Sequence, residues 1–175
     1  KSASTGVNTT YNVGDANTRG LEGYLAADLG ENFGIGIPVS LSATFTDSEF
    51  DALRPDTTGG TFTGTGVYAG AEVGNTFGYI PDTQLNFRIG LEFDNKSTYL
   101  NYHYQDDVFT TAGNTESIDS YGVLDWSGFL ELKEGVTAIA KVTNLTDNDY
   151  AHSNLPRGYR PGAPRIWSLG MEFDF

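Results

Sequence analysis

Seven windows of this chain place an apolar residue at nearly every second position, with mostly polar or small residues between. They are Leu21 to Leu29, Val39 to Phe45, Leu85 to Phe93, Leu100 to Tyr104, Leu124 to Leu132, Val136 to Val142 and Trp167 to Phe175. Side chains of a strand alternate between its two faces, so each window gathers its bulky apolar groups on one side. In the last window Trp167, Leu169, Met171, Phe173 and Phe175 share one face, and Ser168, Gly170, Glu172 and Asp174 share the other. No comparable window carries the i, i+3, i+4, i+7 spacing of an amphipathic helix. The pattern predicts an all-β, antiparallel chain.

The links between windows are sorted by length. Asp94-Asn95-Lys96 and Lys133-Glu134-Gly135 are tight turns of Gly, Asn and Asp type, and Gly30 to Pro38 is moderately short. They alternate with long polar links, Phe50 to Asp82, Asp107 to Ser120 and Asp147 to Gly162. Outer-membrane barrels put short turns on the periplasmic side and long loops outside; a soluble meander has no reason to sort its loops. All but the short window from Leu100 to Tyr104 also approach the roughly 9–11 residues of a tilted membrane strand. The expectation is a segment of a transmembrane β-barrel whose last strand runs inward and leaves Phe175 at the periplasmic rim. Tyr102, Tyr104, Trp126, Trp167, Phe173 and Phe175 then fall on the lipid face, several of them near strand ends as interfacial aromatics.

Composition removes other classes. No run reaches the roughly 18 apolar residues of a membrane helix, so any crossing is made by strands. The absence of Cys rules out disulfides and thiolate metal sites. A formal charge of -13 disfavours nucleic acid as a partner. There is no Gly-x-Ser-x-Gly elbow. Neither His103 nor His152 has a His or Cys neighbour at ligand spacing. Asp106-Asp107 and Asp147/Asp149 lack the Gly and terminal Glu of an EF-hand loop and read as solvated strand ends. No enzyme, cofactor or metal site is expected.

Three phrases carry a family resemblance. Asn12-Val-Gly-Asp-Ala-Asn-Thr-Arg-Gly-Leu-Glu22 resembles the phrase before a late strand of TonB-dependent receptors. Gly78-Tyr-Ile-Pro-Asp-Thr-Gln-Leu-Asn86 is similar to their Pro-led approach to an alternating run. Ala140-Lys-Val-Thr-Asn-Leu-Thr-Asp-Asn-Asp-Tyr150, then Arg157-Gly-Tyr-Arg-Pro-Gly-Ala-Pro-Arg165 and a strand ending in Phe, resembles the C-terminal pattern of the family, closest in flavour to receptors of the ferric-citrate type.

That resemblance implies a barrel of about 22 strands enclosing an N-terminal plug. Residues 1-175 would then be the C-terminal portion of the barrel, with about seven strands and with the plug and the TonB box absent from this chain. It implies transport of a scarce nutrient, most often a ferric siderophore, across the outer membrane of a Gram-negative bacterium. The implied partners are the remaining N-terminal barrel and plug, possibly a separate chain, TonB through the missing part, outer-membrane lipid and the transported ligand. Trp167, Leu169, Met171, Phe173 and Phe175 would form the assembly signal.

Among polar residues, Arg54 in the longest loop and Arg157, Tyr159 and Arg160 in the last one are candidate ligand contacts, because guanidinium forks suit a carboxylate-rich chelate. The competing reading of Arg160 and Arg165 is structural: pairing with acidic groups on the plug or barrel wall, which fixes the loop around Pro161 and Pro164. Tyr68, Tyr79, Tyr150 and Tyr159 could instead stack on a sugar. Two other architectures remain open at the level of sequence. One is an independent small barrel with an eighth strand in Thr9 to Gly20. The other is a soluble β-sandwich binding module that buries its alternating face against a second sheet.

Overall fold

A computed structural model describes residues 14–53, 68–154 and 158–174. Its frame is one antiparallel sheet of seven strands: β1 (Gly14–Asp28), β2 (Pro38–Leu53), β3 (Thr83–Phe93), β4 (Lys96–Gln105), β7 (Tyr121–Lys133), β8 (Val136–Thr143) and β11 (Ile166–Phe173). Neighbours in sequence are neighbours in space throughout. Two small hairpins interrupt the order, β5 (Val108–Phe109) with β6 (Ser117–Ile118), and β9 (Ala151–Ser153) with β10 (Arg160–Pro161).

The register carries the alternation of single strands across the whole sheet. Residues directly opposite in antiparallel strands share a face. Leu25 faces Leu41, Leu41 faces Phe87, Phe87 faces Tyr102, and Tyr102 faces Leu124. The same parity continues through Trp126–Val142–Trp167 and Gly128–Ala140–Leu169. One face is therefore apolar from the first strand to the last. The other carries rows such as Ser42–Asn86–His103 and Ser40–Arg88–Asn101–Asp125.

No second layer covers the apolar face among the described residues. Leu25 is 72% and Leu169 89% exposed, which is incompatible with a β-sandwich. Nor, among the described residues, does the sheet close on itself. The strands β1 and β11 are its two edges. In hydrocarbon, unpaired backbone along an edge costs several kcal/mol per group, so an open sheet of this kind is complete only as part of a larger wall. The stretch offered as an eighth strand is not separate: from Gly14 to Gly20 it forms the start of β1, paired with Thr46 to Leu53 across a bulge at Asp15/Ala16. Residues 9–13 lie outside the described ones.

Connections sort by side as expected. The links β1–β2, β3–β4 and β7–β8 lie at one end, and the three long ones at the other. Asp174 donates its amide to Gly135 O at 2.9 Å, which pins the end of the last strand beside the β7–β8 turn.

Well-buried apolar side chains gather at the long-loop end. Phe50, Ala71 and Ala112 form a cluster flanked by Phe77 and Leu53, and Val108 and Ile118 are also buried. The placement follows from the solvents. A strand between lipid and a polar lumen has no water to exclude on its apolar side, whereas loops outside the bilayer face water and gain from a core of their own.

Candidate functional site: the polar face and the outer loops

The polar face of β2, β3, β4 and β7 forms a concavity of about 430 Å³ bounded by Tyr24, Arg88, Asn101, His103, Asp125 and Tyr150. Its side chains hold one another. Asn86 donates to Ser42 Oγ at 3.3 Å and lies 2.8 Å from His103 Nδ1. The Arg88 guanidinium sits 4.1 Å from the centre of the Tyr99 ring, and the Tyr99 hydroxyl donates to Glu92 at 2.6 Å. Arg88 makes no ion pair among the described residues, so a full positive charge stands over this face. His103 is thus part of a hydrogen-bonded row, and no cluster of metal-ligating side chains occurs among the described residues.

The three long loops are stitched to one another above this face. Asn75 donates to Ala112 O at 2.9 Å, the Thr76 amide donates to Asn114 Oδ1 at 2.8 Å, and the Tyr79 amide donates to Phe109 O at 2.8 Å. These join the β2–β3 loop to the β4–β7 loop. Asn154 donates to Thr110 Oγ1 at 2.9 Å, and the Tyr159 hydroxyl donates to Ser117 O at 3.3 Å, which joins the β4–β7 loop to the last one. Asp82 sits at the head of β3 with Asp47, Asp106 and Asp107 around it. Partial burial first, then these like charges, hold its carboxyl above the usual carboxylate range.

The last loop is built on the residues of the C-terminal phrase. Asn144 is fully buried in a left-handed conformation at φ 51°. Its amide group donates to Asn148 O and Ala163 O, both at 2.9 Å, and its Oδ1 accepts the Asn148 amide at 2.9 Å. Its own backbone amide donates to Asp125 at 2.8 Å. Arg165 pairs with Asp147 at 2.8 Å. Its acidic partner is thus in this same loop, not on the plug or barrel wall where the structural reading of Arg165 placed it. Gly162 is needed for contact: a Cβ there would fall inside the Tyr150 ring, which stacks on Tyr121 at 4.4 Å between centroids.

Of the candidate ligand contacts, Arg54 and Arg157 lie outside the described residues. Tyr159 is 65% exposed. Arg160 is exposed in β10, opposite Ser153, and makes no ion pair among the described residues. Trp167, Leu169, Met171 and Phe173 project from the apolar face of the edge strand β11; Phe175 lies outside the described residues. Sequence reading missed the mutual stitching of the loops, since Asn75, Asn114 and Asn154 show no periodic signal.

An antiparallel sheet with one continuous apolar face, one polar face and long loops confined to one end is a section of an outer-membrane β-barrel wall. The chain belongs to the TonB-dependent receptor-like β-barrel family, whose profile matches residues 2–145, and it is accordingly an outer-membrane protein. Among solved structures it is similar to the siderophore receptor PiuA from Acinetobacter baumannii, at 21% identity and a TM-score of 0.75, over 93% of this chain and 22% of that one. It is also similar to the ferric yersiniabactin uptake receptor FyuA from Yersinia pestis, at 19% identity and a TM-score of 0.70, over 94% of this chain and 24% of that one. A third is the ferric citrate transporter FecA, at 18% identity and a TM-score of 0.69, over 90% of this chain and 24% of that one. The chain thus spans about a quarter of the length of these structures. No curated protein sequence matches it.

Proposed function

We propose that this chain is the C-terminal part of the barrel wall of a TonB-dependent importer whose cargo is a ferric siderophore or a similar iron chelate. The remaining wall and the plug come from the rest of the receptor, and TonB acts through that part. The observation that carries the reading is that, among the described residues, β1 and β11 each pair with a strand on one side only. β1 and β11 ask for further strands on both sides, and the polar face asks for something to fill the space it would enclose. Arg88 offers an unpaired cation to that filling.

The outer loops supply the cargo contacts. Arg160 and Tyr159 stand exposed above the polar face in a loop held rigid by Asn144 and by Arg165–Asp147. An exposed guanidinium beside a phenol suits a carboxylate- or catecholate-bearing ferric complex. Arg54 and Arg157 belong to the same proposal. The neighbours described as siderophore and ferric citrate proteins favour this cargo class. No step of covalent chemistry is required of any residue.

The test is equilibrium binding of a panel of ferric chelates to the intact receptor, with iron-free chelates and cupric complexes as controls. Saturable binding of a ferric complex, weakened about tenfold or more by Arg160→Ala, Tyr159→Ala or both, is the expected result. Binding of none of the ferric complexes would overturn the cargo class while leaving the barrel assignment intact.

A further inference from the structure

The apolar face is not uniformly packed. On the strands nearest the C-terminal edge it contains a hollow of about 540 Å³. That is within the roughly 300–1,000 Å³ of sites that take small molecules. Its floor is made of small residues, Gly128, Ala138 and Ala140, and Trp126, Leu130 and Leu169 form its walls. The polar atoms inside it are satisfied: the Trp126 indole donates to Thr98 Oγ1 at 2.8 Å, and Thr98 in turn donates to Ser127 O at 3.1 Å. What remains is an apolar slot open to the membrane.

Charge is segregated at the short-turn end of this slot. Lys96 lies at its mouth, opposite Phe93 and Leu130 on the apolar parity. Its ammonium sits 5.1 Å from the centre of the Phe93 ring. A register shift between Glu131 and Lys133 leaves Leu132 without a partner position and brings Lys133 opposite Val136, whose position is on the apolar parity, one hairpin over. The glutamates of this rim, Glu92, Glu131 and Glu172, pair with Ser97 and Thr137 and so take the opposite, polar face. Asp94 and Glu134 occupy the turns themselves. Neither lysine makes an ion pair among the described residues. In a chain of charge -13, two free cations at one rim of the lipid face, with the carboxylates of the strands turned away, are a local inversion of sign.

We propose that this slot is a selective site for an anionic phospholipid of the periplasmic leaflet, an acyl chain lying on Gly128, Ala138 and Ala140 and the phosphate held by Lys96 and Lys133. Long lysine side chains reach the headgroup level while their stems stay against the apolar face. Sign supplies the selectivity, since a zwitterionic headgroup carries its own cation and gains less from the pair. The inference rests on the outward orientation of the apolar face.

The experiment is native mass spectrometry of the intact receptor offered phosphatidylglycerol and phosphatidylcholine with identical acyl chains. The expected result is several-fold higher retention of phosphatidylglycerol. Lys96→Gln with Lys133→Gln should bring the two lipids to equal retention, and Ala140→Leu, which fills the slot, should lower both. Equal retention by the wild type, or an unchanged preference in the double variant, overturns the site. Quenching of Trp126 by lipids brominated on their chains, read as the difference between wild type and Trp126→Phe, separates the two claims. Quenching without selectivity removes the phospholipid site alone, whereas no quenching removes the outward orientation as well.

Discussion

Arg19 and Asp47 face each other directly across β1 and β2, with two guanidinium hydrogen bonds of 2.9 and 2.7 Å to one carboxylate oxygen, one register step above Leu21 and Phe45. They have the same parity as the apolar stripe, yet they are charged. The apolar band therefore ends between these two rows, and above it β1 and β2 continue as strands in water.

Depth along that face should govern the cost of a charge. Leu100→Arg, in the middle of β4 between Ile89 and Trp126, should destabilise the intact barrel by about 2–4 kcal/mol, the usual penalty near the bilayer centre. Arg19→Leu removes an exposed ion pair and should cost less than about 1 kcal/mol. Guanidinium unfolding in lipid bilayers measures both, and equal costs would place the band elsewhere.

Asn144→Ala should loosen the last loop without dissolving the sheet. It removes three part-buried hydrogen bonds, those to the carbonyls of Asn148 and Ala163 and that from the Asn148 amide, each worth about 0.5–1.5 kcal/mol. Limited proteolysis should then cut between β8 and β11 much faster than in the wild type, with cleavage elsewhere unchanged.

Gly162→Ala should act through Tyr150. The new methyl displaces the ring from Tyr121, so removing the ring first removes most of the harm. In a double-mutant cycle, Gly162→Ala should be markedly less damaging in a Tyr150→Ala background, and additive effects would show that the clash is not the cause.

The sign of the Asp82 effect is set by its raised carboxyl. Between the ordinary carboxylate range and its own higher value, the folded form keeps a proton that the unfolded form releases. Stability contributed locally is therefore lost as pH rises through that window and stays lost above it. The Thr46 amide donates to Asp82 O at 2.9 Å and reports on this corner. Corrected for intrinsic rate, its hydrogen exchange should speed up with pH in the wild type and change less in Asp82→Asn.

The parts of the fold most legible in the sequence are those where one face meets lipid. Val39 to Phe45 and Leu85 to Phe93 alternate because a hydrocarbon solvent penalises every second position differently, and their strands are found where the rhythm is. The rhythm fails where both faces meet water. Asn17-Thr18-Arg19 and Asp47-Ser48-Glu49 are paired strand with no alternation to betray them, so β1 begins seven residues before Leu21 and β2 runs eight past Phe45. The hairpins β5–β6 and β9–β10 are two or three residues per arm, too short for any period to register. At the site, Arg165 and the Arg-Pro-Gly phrase were visible as pattern, but their partners Asp147 and Tyr150 were fixed by a loop whose path only coordinates reveal.

The knot of Phe50, Phe77, Ala71 and Ala112, with the asparagines sewn around it, has a consequence for biogenesis. Ala71 and Phe77 come from the β2–β3 loop, Ala112 from the β4–β7 loop and Phe50 from the end of β2 itself, so none of these contacts exists until the segments on both sides of β3 and β4 stand together.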